Sequence, residues 1–354
     1  MNRPVGAGHA VPETAVVGLD RAAVEEWIVR LGLGAVAPLR FARVGQGVSN
    51  LTYLVTDDGG ARWVLRRPPV GPLLPSAHNI AREHRILSAL QPAAVPTPAV
   101  YGFTDDPAIT DAPLLLMAHV DGMSLDDPSV AENLDPAVRS RLGRVLARTL
   151  ASVHDVDLGA TGLLDLASHE NYAGRQLRRW RRQWEDSRTR ELPAVDELAD
   201  RLQAAIPQQR ELALVHGDFH LMNVIAAPDG AEIRAILDWE LCTLGDPLAD
   251  LGGLLAYWPQ PGETTAGPFR TSLLPGFPSR AELARTYADE TGRDLTALSF
   301  WHVLGLWKIA IIGEGVRRRA LDDERNAART GIPSTGSLDD IVTQAQRVAA
   351  DAGL

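Results

Sequence analysis

An α+β chain in two lobes, a small β-rich N-lobe and a larger, mostly helical C-lobe, is what this sequence predicts. Three observations predict it. Short apolar runs of strand length, separated by turn residues, fill Leu39–Val120 and are broken by one helical segment. Beyond Asp121-Gly122, apolar residues recur at helical spacing through most of the remaining chain. The length of 354 residues exceeds what one small core usually holds.

Residues 1–18, rich in Gly, Pro and Val without periodicity, read as a flexible arm. Asp20 caps a helix through Leu31, with Val24, Trp27, Ile28 and Leu31 on one face and Gly32 and Gly34 ending it. Leu39–Val44, Leu51–Thr56 and Arg62–Arg66 read as strands. Gly45-Gln46-Gly47-Val48-Ser49-Asn50 joins the first two, and the hairpin turn Asp57-Asp58-Gly59-Gly60 joins the next two. A helix over Ala77–Leu90 carries Glu83, and strands over Val95–Phe103 and Leu114–Val120 complete an N-lobe of residues 19–120.

In the C-lobe, residues 121–354, helices are predicted from Asp135 to His154, over Gln176–Ser187 and over Ala194–Ala205. A Pro- and Gly-rich loop, Pro259–Pro278, leads to a helix that begins at the capping box Ser279/Glu282. Leu298–Leu321 is the longest apolar helical segment, and Leu338–Ala349 is a final helix.

Composition narrows the function. Hydrophobic residues make up 45% and charged residues 23%, the balance of a globular protein. A net charge of −10 argues against general binding to nucleic acid or anionic membranes. One cysteine, Cys242, excludes an intrachain disulfide framework and a thiolate metal cluster, and fits a reducing cytoplasm. The N-terminal residues lack a signal-peptide layout, and no apolar run reaches membrane-spanning length. Lys308 is the single lysine; every other basic residue is an arginine.

The most informative stretch is Leu212–Gly252. An apolar run, Leu212–Val215, delivers His216-Gly217-Asp218, and Asn223 follows five residues after Asp218. The turn Pro228-Asp229-Gly230 then precedes a second apolar run ending at Asp238. Two short strands joined by that turn would gather Asp218, Asn223 and Asp238. Two carboxylates and an amide are hard oxygen ligands that suit Mg²⁺ and a hydroxyl nucleophile, the parts of a phosphotransfer site. Gly45 and Gly47 would let backbone N–H groups approach phosphates, with Ser49 and Asn50 as further donors. Arg66 ends a strand as a fixed cation, and Glu83 on the next helix could hold it in an ion pair.

Taken together and in this order, these elements resemble the aminoglycoside phosphotransferase family of kinase-like enzymes. The motif H-G-D-x-x-x-x-N is here His216-Gly217-Asp218-Phe219-His220-Leu221-Met222-Asn223. The resemblance spans roughly residues 35 to 320. Within the family it is greatest to the kinase-like domain found with acyl-CoA dehydrogenases, carried by Arg66-Arg67-Pro68-Pro69, Leu74-Pro75-Ser76-Ala77-His78 and Leu237-Asp238-Trp239-Glu240-Leu241.

The resemblance implies a protein-kinase-like fold and transfer of the γ-phosphoryl group of ATP, with Mg²⁺, to a hydroxyl of a small molecule. Asp218 would accept or orient the hydroxyl proton. Asn223 and Asp238 would ligate Mg²⁺. Arg66, paired with Glu83, would take the place of the usual lysine on the phosphates, a planar fork instead of a point charge. Backbone groups at Met117–His119 would meet the adenine edge. His216 would brace the loop, Asp250 would accept hydrogen bonds from its backbone, and His154 would be a packed, hydrogen-bonded histidine.

The acceptor stays open. Glu185, Asp186, Glu240 and Asp246 could face the ammonium groups of an aminoglycoside, whereas the basic run Arg175, Arg178, Arg179, Arg181 and Arg182 favours a hydroxyacyl compound or another anionic or neutral alcohol. Aminoglycoside or sugar O-phosphotransfer is the alternative. A nucleotide-binding pseudokinase with a regulatory or scaffold role is a third reading, opposed by the presence of Asp218, Asn223 and Asp238 together. A zinc site at His216 and His220 is disfavoured because Gly217, next to a strand end, denies them a helical turn. Trp301 and Trp307 read as core. Oligomeric state and the choice of ATP or GTP are not legible.

Overall fold

The structure is a computed structural model that describes residues 16–44, 50–70, 79–263, 267–322 and 332–354. The chain divides into two compact units, Met1–Ala93 with Thr97–Asp121, and Ala94–Pro96 with Gly122–Leu354.

In the first unit, α1 (Arg21–Arg30) starts where the Asp20 carboxylate accepts from the backbone N–H groups of Ala22 and Ala23. Strands β1 (Arg40–Val44), β2 (Leu51–Thr56), β3 (Arg62–Arg67), β4 (Val100–Thr104) and β5 (Leu114–Ala118) form an antiparallel sheet in the order β1-β2-β3-β5-β4. Alternation puts Leu51, Tyr53 and Val55 of β2 and Trp63 and Leu65 of β3 in one core with Val24, Trp27 and Ile28 of α1. Leu114 and Leu116 join that core. Leu115 and Met117 therefore take the opposite face of the sheet, and α2 (Ile80–Leu90) packs on β4 and β5. Val17, in the predicted arm, accepts a 2.8 Å hydrogen bond at its carbonyl from the Tyr53 hydroxyl.

The strand predicted over Val95–Phe103 is shorter than expected. Pro96 and Pro98 have no N–H to give a ladder, so pairing begins only at Val100. The Pro96 carbonyl instead accepts from Ile236 N at 2.8 Å, within the second unit. The helix carrying Glu83 is capped by Asn79, whose side chain accepts from Arg82 N, and runs from Ile80.

The second unit contains β6 (Met123–Ser124), α3 (Pro128–Glu132), α4 (Pro136–His154), α5 (Tyr172–Ser187), α6 (Pro193–Ala204), β7 (Ala213–Val215), β8 (Val224–Ala226), β9 (Ile233–Ile236), β10 (Thr243–Gly245), α7 (Leu248–Ala256), α8 (Arg280–Thr291), α9 (Leu298–Asp322) and α10 (Thr335–Asp351). The predicted capping box is present, with Ser279 Oγ accepting from Glu282 N and Glu282 accepting from Ser279 N. Helix α5 begins four residues earlier than expected because Asn171 caps it at Gly174 N.

The pairing expected around the central motif needs correction. The run Ala213–Val215 does not pair with the strand before Asp238. It pairs antiparallel with β10, which is reached after a 3₁₀ turn over Trp239–Leu241. The turn at Pro228–Gly230 closes a separate hairpin, β8 with β9, to which β6 adds.

Helix α7 packs across α9 with no side chain between the two backbones at Gly252. A Cβ there would lie 2.4 Å from the Trp301 carbonyl carbon. Gly252→Ala is expected to destabilise the unit by ~1–3 kcal/mol through this overpacking, read as a lower denaturant midpoint at unchanged slope. Among the described residues no helix is long and apolar enough to cross a membrane.

Candidate active site

The site residues predicted from sequence fall on both units. In the first, Gly45, Gly47 and Ser49 lie outside the described residues, as do residues 74–78. Asn50 is buried at 7% exposure, and neither its Oδ1 nor its Nδ2 has a hydrogen-bond partner among the described residues. Arg66 and Glu83 do meet: the guanidinium is 3.0 Å from Glu83 Oε1, with side-chain exposures of 12% and 2%. Met117 is enclosed in the sheet, between Val64 of β3 and Val100 of β4. The ladder ends at Ala118, so His119 is the first residue past the strand. Burial pulls the His119 imidazole below its usual range, helped by the Arg62 charge.

In the second unit, β7 feeds the loop that carries the motif. Asp250, in the first turn of α7, holds this loop from beneath. Its Oδ2 accepts from His216 N at 2.6 Å and its Oδ1 from Gly217 N at 2.8 Å. The same carboxylate meets His154 Nε2 at 3.3 Å, and His154 Nδ1 lies 2.7 Å from the Tyr287 hydroxyl. Burial opposes the Asp250 charge, and His154, His216 and the Gly217 amide reverse that, leaving the carboxyl below its ordinary range. Gly217 has φ +85°, and a Cβ there would lie 2.7 Å from Leu241 O, so only glycine fits this turn. His216 is wholly buried, with Nε2 3.0 Å from Leu237 O and Nδ1 accepting from Asp218 N at 3.3 Å. Burial depresses its imidazole, which suits a neutral brace. All three supporting roles expected for His216, Asp250 and His154 have their bonds.

Asp218 and Asn223 are brought together. Asn223 Nδ2 donates to Asp218 O at 2.8 Å and reaches Asp218 Oδ2 at 3.3 Å. The Tyr257 hydroxyl donates to Asp218 Oδ1 at 3.1 Å, and His220 Nε2 lies 3.5 Å from Oδ2. Burial alone would raise the Asp218 carboxyl. The His220 hydrogen bond and the charges of His220 and Lys308 outweigh it, so the group stays ionised well below the ordinary carboxylate range. Asp238 follows β9 with φ 64° and ψ 58°, a left-handed conformation that is uncommon for any residue but glycine. Leu237 N donates to Asn223 O at 2.8 Å, tying the backbone just before Asp238 to Asn223.

The donor set fits a magnesium ion. With Asn223 Nδ2 engaged at Asp218, its Oδ1 would be the ligating atom, and Asp238 would add a carboxylate. Among the described residues there is no group of three or more His, Cys, Asp or Glu that could hold a metal ion. Two protein oxygens completed by phosphate and water are what Mg²⁺ takes, in preference to an all-protein cage.

Asp218 also lines a recess with about 50 Å³ of water-accessible space, walled by Tyr172, Trp180, Tyr257, Trp301 and Lys308. Sequence reasoning missed Tyr257 and Lys308 here. Tyr257 follows α7 seven residues after Asp250, on the same helical face, and Lys308 is the one charge in the apolar first half of α9. Trp307 is core, with Nε1 bonded to Val195 O at 2.9 Å, but Trp301 also faces the recess. The basic helix α5 borders it as well, through Tyr172, Gln176 and Trp180; Arg178 and Arg179 are exposed and do not line it. None of Glu185, Asp186, Glu240 and Asp246 lines it either, and Asp246 is occupied capping Leu248 N at 2.9 Å.

A model of the APH family, described as "Phosphotransferase enzyme family", matches residues 40–300. Acyl-CoA dehydrogenase family member 10 of Mus musculus is 34% identical over 329 residues, covering 92% of this chain and 31% of that protein. Acyl-CoA dehydrogenase family member 11 of Gallus gallus is 34% identical over 315 residues, covering 85% of this chain and 40% of that protein. The chain thus spans well under half the length of these curated relatives. A crystal structure described as a "putative aminoglycoside phosphotransferase" from Ralstonia eutropha JMP134 matches with a TM-score of 0.73 at 30% identity, over 94% of this chain and 97% of that one. This likeness bears out the kinase-like α+β fold expected from sequence.

Proposed function

The chain belongs to the APH phosphotransferase enzyme family, and from that premise we propose that it is a small-molecule kinase transferring the γ-phosphoryl group of ATP to an alcohol. The observation that carries this reading is the setting of Asp218: an ionised carboxylate held by Tyr257, His220 and Asn223 at the edge of a recess. A carboxylate so far below its usual range is a weak base at rest. It serves first to accept the hydrogen bond of the acceptor hydroxyl and aim the oxygen's lone pair at phosphorus. In the transfer, the acceptor O–P bond forms as the bond from phosphorus to the ADP oxygen breaks. The hydroxyl proton passes to Asp218 late, when the oxygen has lost electron density to phosphorus.

Asn223 and Asp238 would hold the divalent cation, which when bound neutralises phosphate charge. Arg66, oriented by Glu83, would contact the phosphates as a fork, and Asn50 would donate to them with Gly45, Gly47 and Ser49. Met117 and His119 would border the adenine. The chain's likeness to acyl-CoA dehydrogenase family members 10 and 11 supports a hydroxyacyl acceptor over an aminoglycoside. The site is proposed to act in the cytoplasm without nucleic acid or membrane.

The test is nucleotide consumption with a panel of hydroxyacyl thioesters, free hydroxy acids, sugars and aminoglycosides. ADP release stimulated by an alcohol of the panel is expected. Stimulation by none, at concentrations that saturate nucleotide binding, would favour the regulatory reading. Tyr257→Phe should leave Asp218 one hydrogen bond short and lower kcat roughly ten-fold, the kinetic equivalent of ~1.5 kcal/mol, with nucleotide KM unchanged. Steady-state kinetics at saturating nucleotide check it.

A further inference from the structure

We propose that Lys308 anchors the acceptor: its ammonium, set in the wall of the Asp218 recess, binds a carboxylate or acyl oxygen carried by the alcohol and selects against polycationic acceptors. The inference rests on the phosphotransferase reading and deepens it to a substrate class.

The first observation is the cost of placing a cation there. Lys308 is the only lysine of the chain, on α9 in a segment whose neighbours Leu304, Trp307 and Ile309 are apolar. Burial there disfavours the ammonium even though the Asp218 and Asp250 charges support it, and a methionine or leucine would pack there without that cost. The second is its incomplete set of partners. Nζ donates to Gly217 O at 2.6 Å and stands 5.4 Å from the Trp180 ring centroid. An ammonium has three donors. The carbonyl takes one and the ring face satisfies a second in part. No other acceptor meets Nζ among the described residues, so the remaining donor capacity faces the recess that Lys308 lines.

The third observation is the balance of charge around that space. Asp218 and Asp250 are the carboxylates of the lining. Both oxygens of Asp250 are engaged by the protein, Oδ2 with His216 N and His154 and Oδ1 with Gly217 N. The recess therefore offers one working carboxylate and one ammonium, the complement of an alcohol that also carries an electron-rich oxygen. Its remaining walls, Tyr172, Trp180, Tyr257 and Trp301, are aromatic.

The test compares three acceptors of equal chain length: a free hydroxycarboxylic acid, its thioester, and the neutral alcohol without a carbonyl. Calorimetry on the intact chain measures binding of each to wild type, Lys308→Met, and Lys308→Gln, which keeps a donor for Gly217 O without the charge. Wild type is expected to bind the acid or the thioester roughly ten-fold more tightly than the neutral alcohol, as a charge-assisted hydrogen bond would give. Both variants should bring the preference within about two-fold, and Lys308→Arg should restore part of it. The preferred oxygen-bearing compound identifies the source, carboxylate or acyl group. No preference in wild type, or an equal weakening of all three compounds in the variants, would overturn the assignment and leave Lys308 a structural residue. Because binding needs no turnover, wild type that shows the preference but transfers no phosphoryl group would sink the kinase reading and leave the anchor standing.

Discussion

Asp218→Asn is expected to lower the rate of phosphoryl transfer by ~10²–10⁴-fold while nucleotide affinity stays within about two-fold of wild type. The amide retains the shape of the carboxylate and can still accept from Tyr257, whose hydroxyl is 3.1 Å from Oδ1. It cannot take the acceptor's proton, and it no longer carries the charge that draws the hydroxyl hydrogen away from phosphorus. Asn223 Nδ2 would keep its 2.8 Å bond to the backbone carbonyl at position 218, so the proposed metal ligands are left in place. The loss should therefore appear in kcat. An unchanged melting temperature is the control that the loop has not rearranged.

Asp250→Ala is expected to act through the fold and to cost ~3–5 kcal/mol, the usual penalty for breaking a buried charged cluster from one side. Its carboxylate is almost inaccessible, and removing it orphans the N–H groups of His216 and Gly217 together with His154. Differential scanning calorimetry should show a large fall in Tm, and activity should vanish with the loop geometry. The same carboxylate predicts a pH dependence. Its folded pKa lies below the ordinary value, so its contribution to stability is full above the ordinary carboxylate range and is lost as pH falls through the depressed folded value. Wild-type stability should decline below pH ~4, and the Asp250→Ala variant should show a shallower decline over that window.

The sequence made the chemistry legible where it is local. Asp218 and Asn223 share one loop, and the spacing of five residues already implies that the amide returns to the aspartate, as the 2.8 Å bond shows. The Arg66–Glu83 pair was legible from a strand-end cation and a following helix. Pairing over longer separations was not. The three-residue strand Ala213–Val215 finds Thr243–Gly245 across an entire hairpin, and nothing in so short an apolar run names its partner.

The acceptor side was hidden for a different reason. Helix α9 is apolar on most faces, and periodicity cannot tell a residue that lines a recess from one that fills a core, so Trp301 read as packing. The usable signal was Lys308, the one charge in the apolar first half of that helix, Leu298–Gly313, which must find partners because it cannot be left without them. Tyr257 gave a weaker signal: it lies two helical turns after Asp250 and so on the face already turned to the loop.

Transfer of a phosphoryl group from this chain's nucleotide to an alcohol can be followed with γ-labelled ATP, Mg²⁺ and the acceptor panel. Wild type should place the label in a phosphate ester of an acceptor alcohol, and Asp218→Asn should lose it. Label that stays in the nucleotide, or that appears only as inorganic phosphate at equal rates in the two proteins, would contradict the kinase reading.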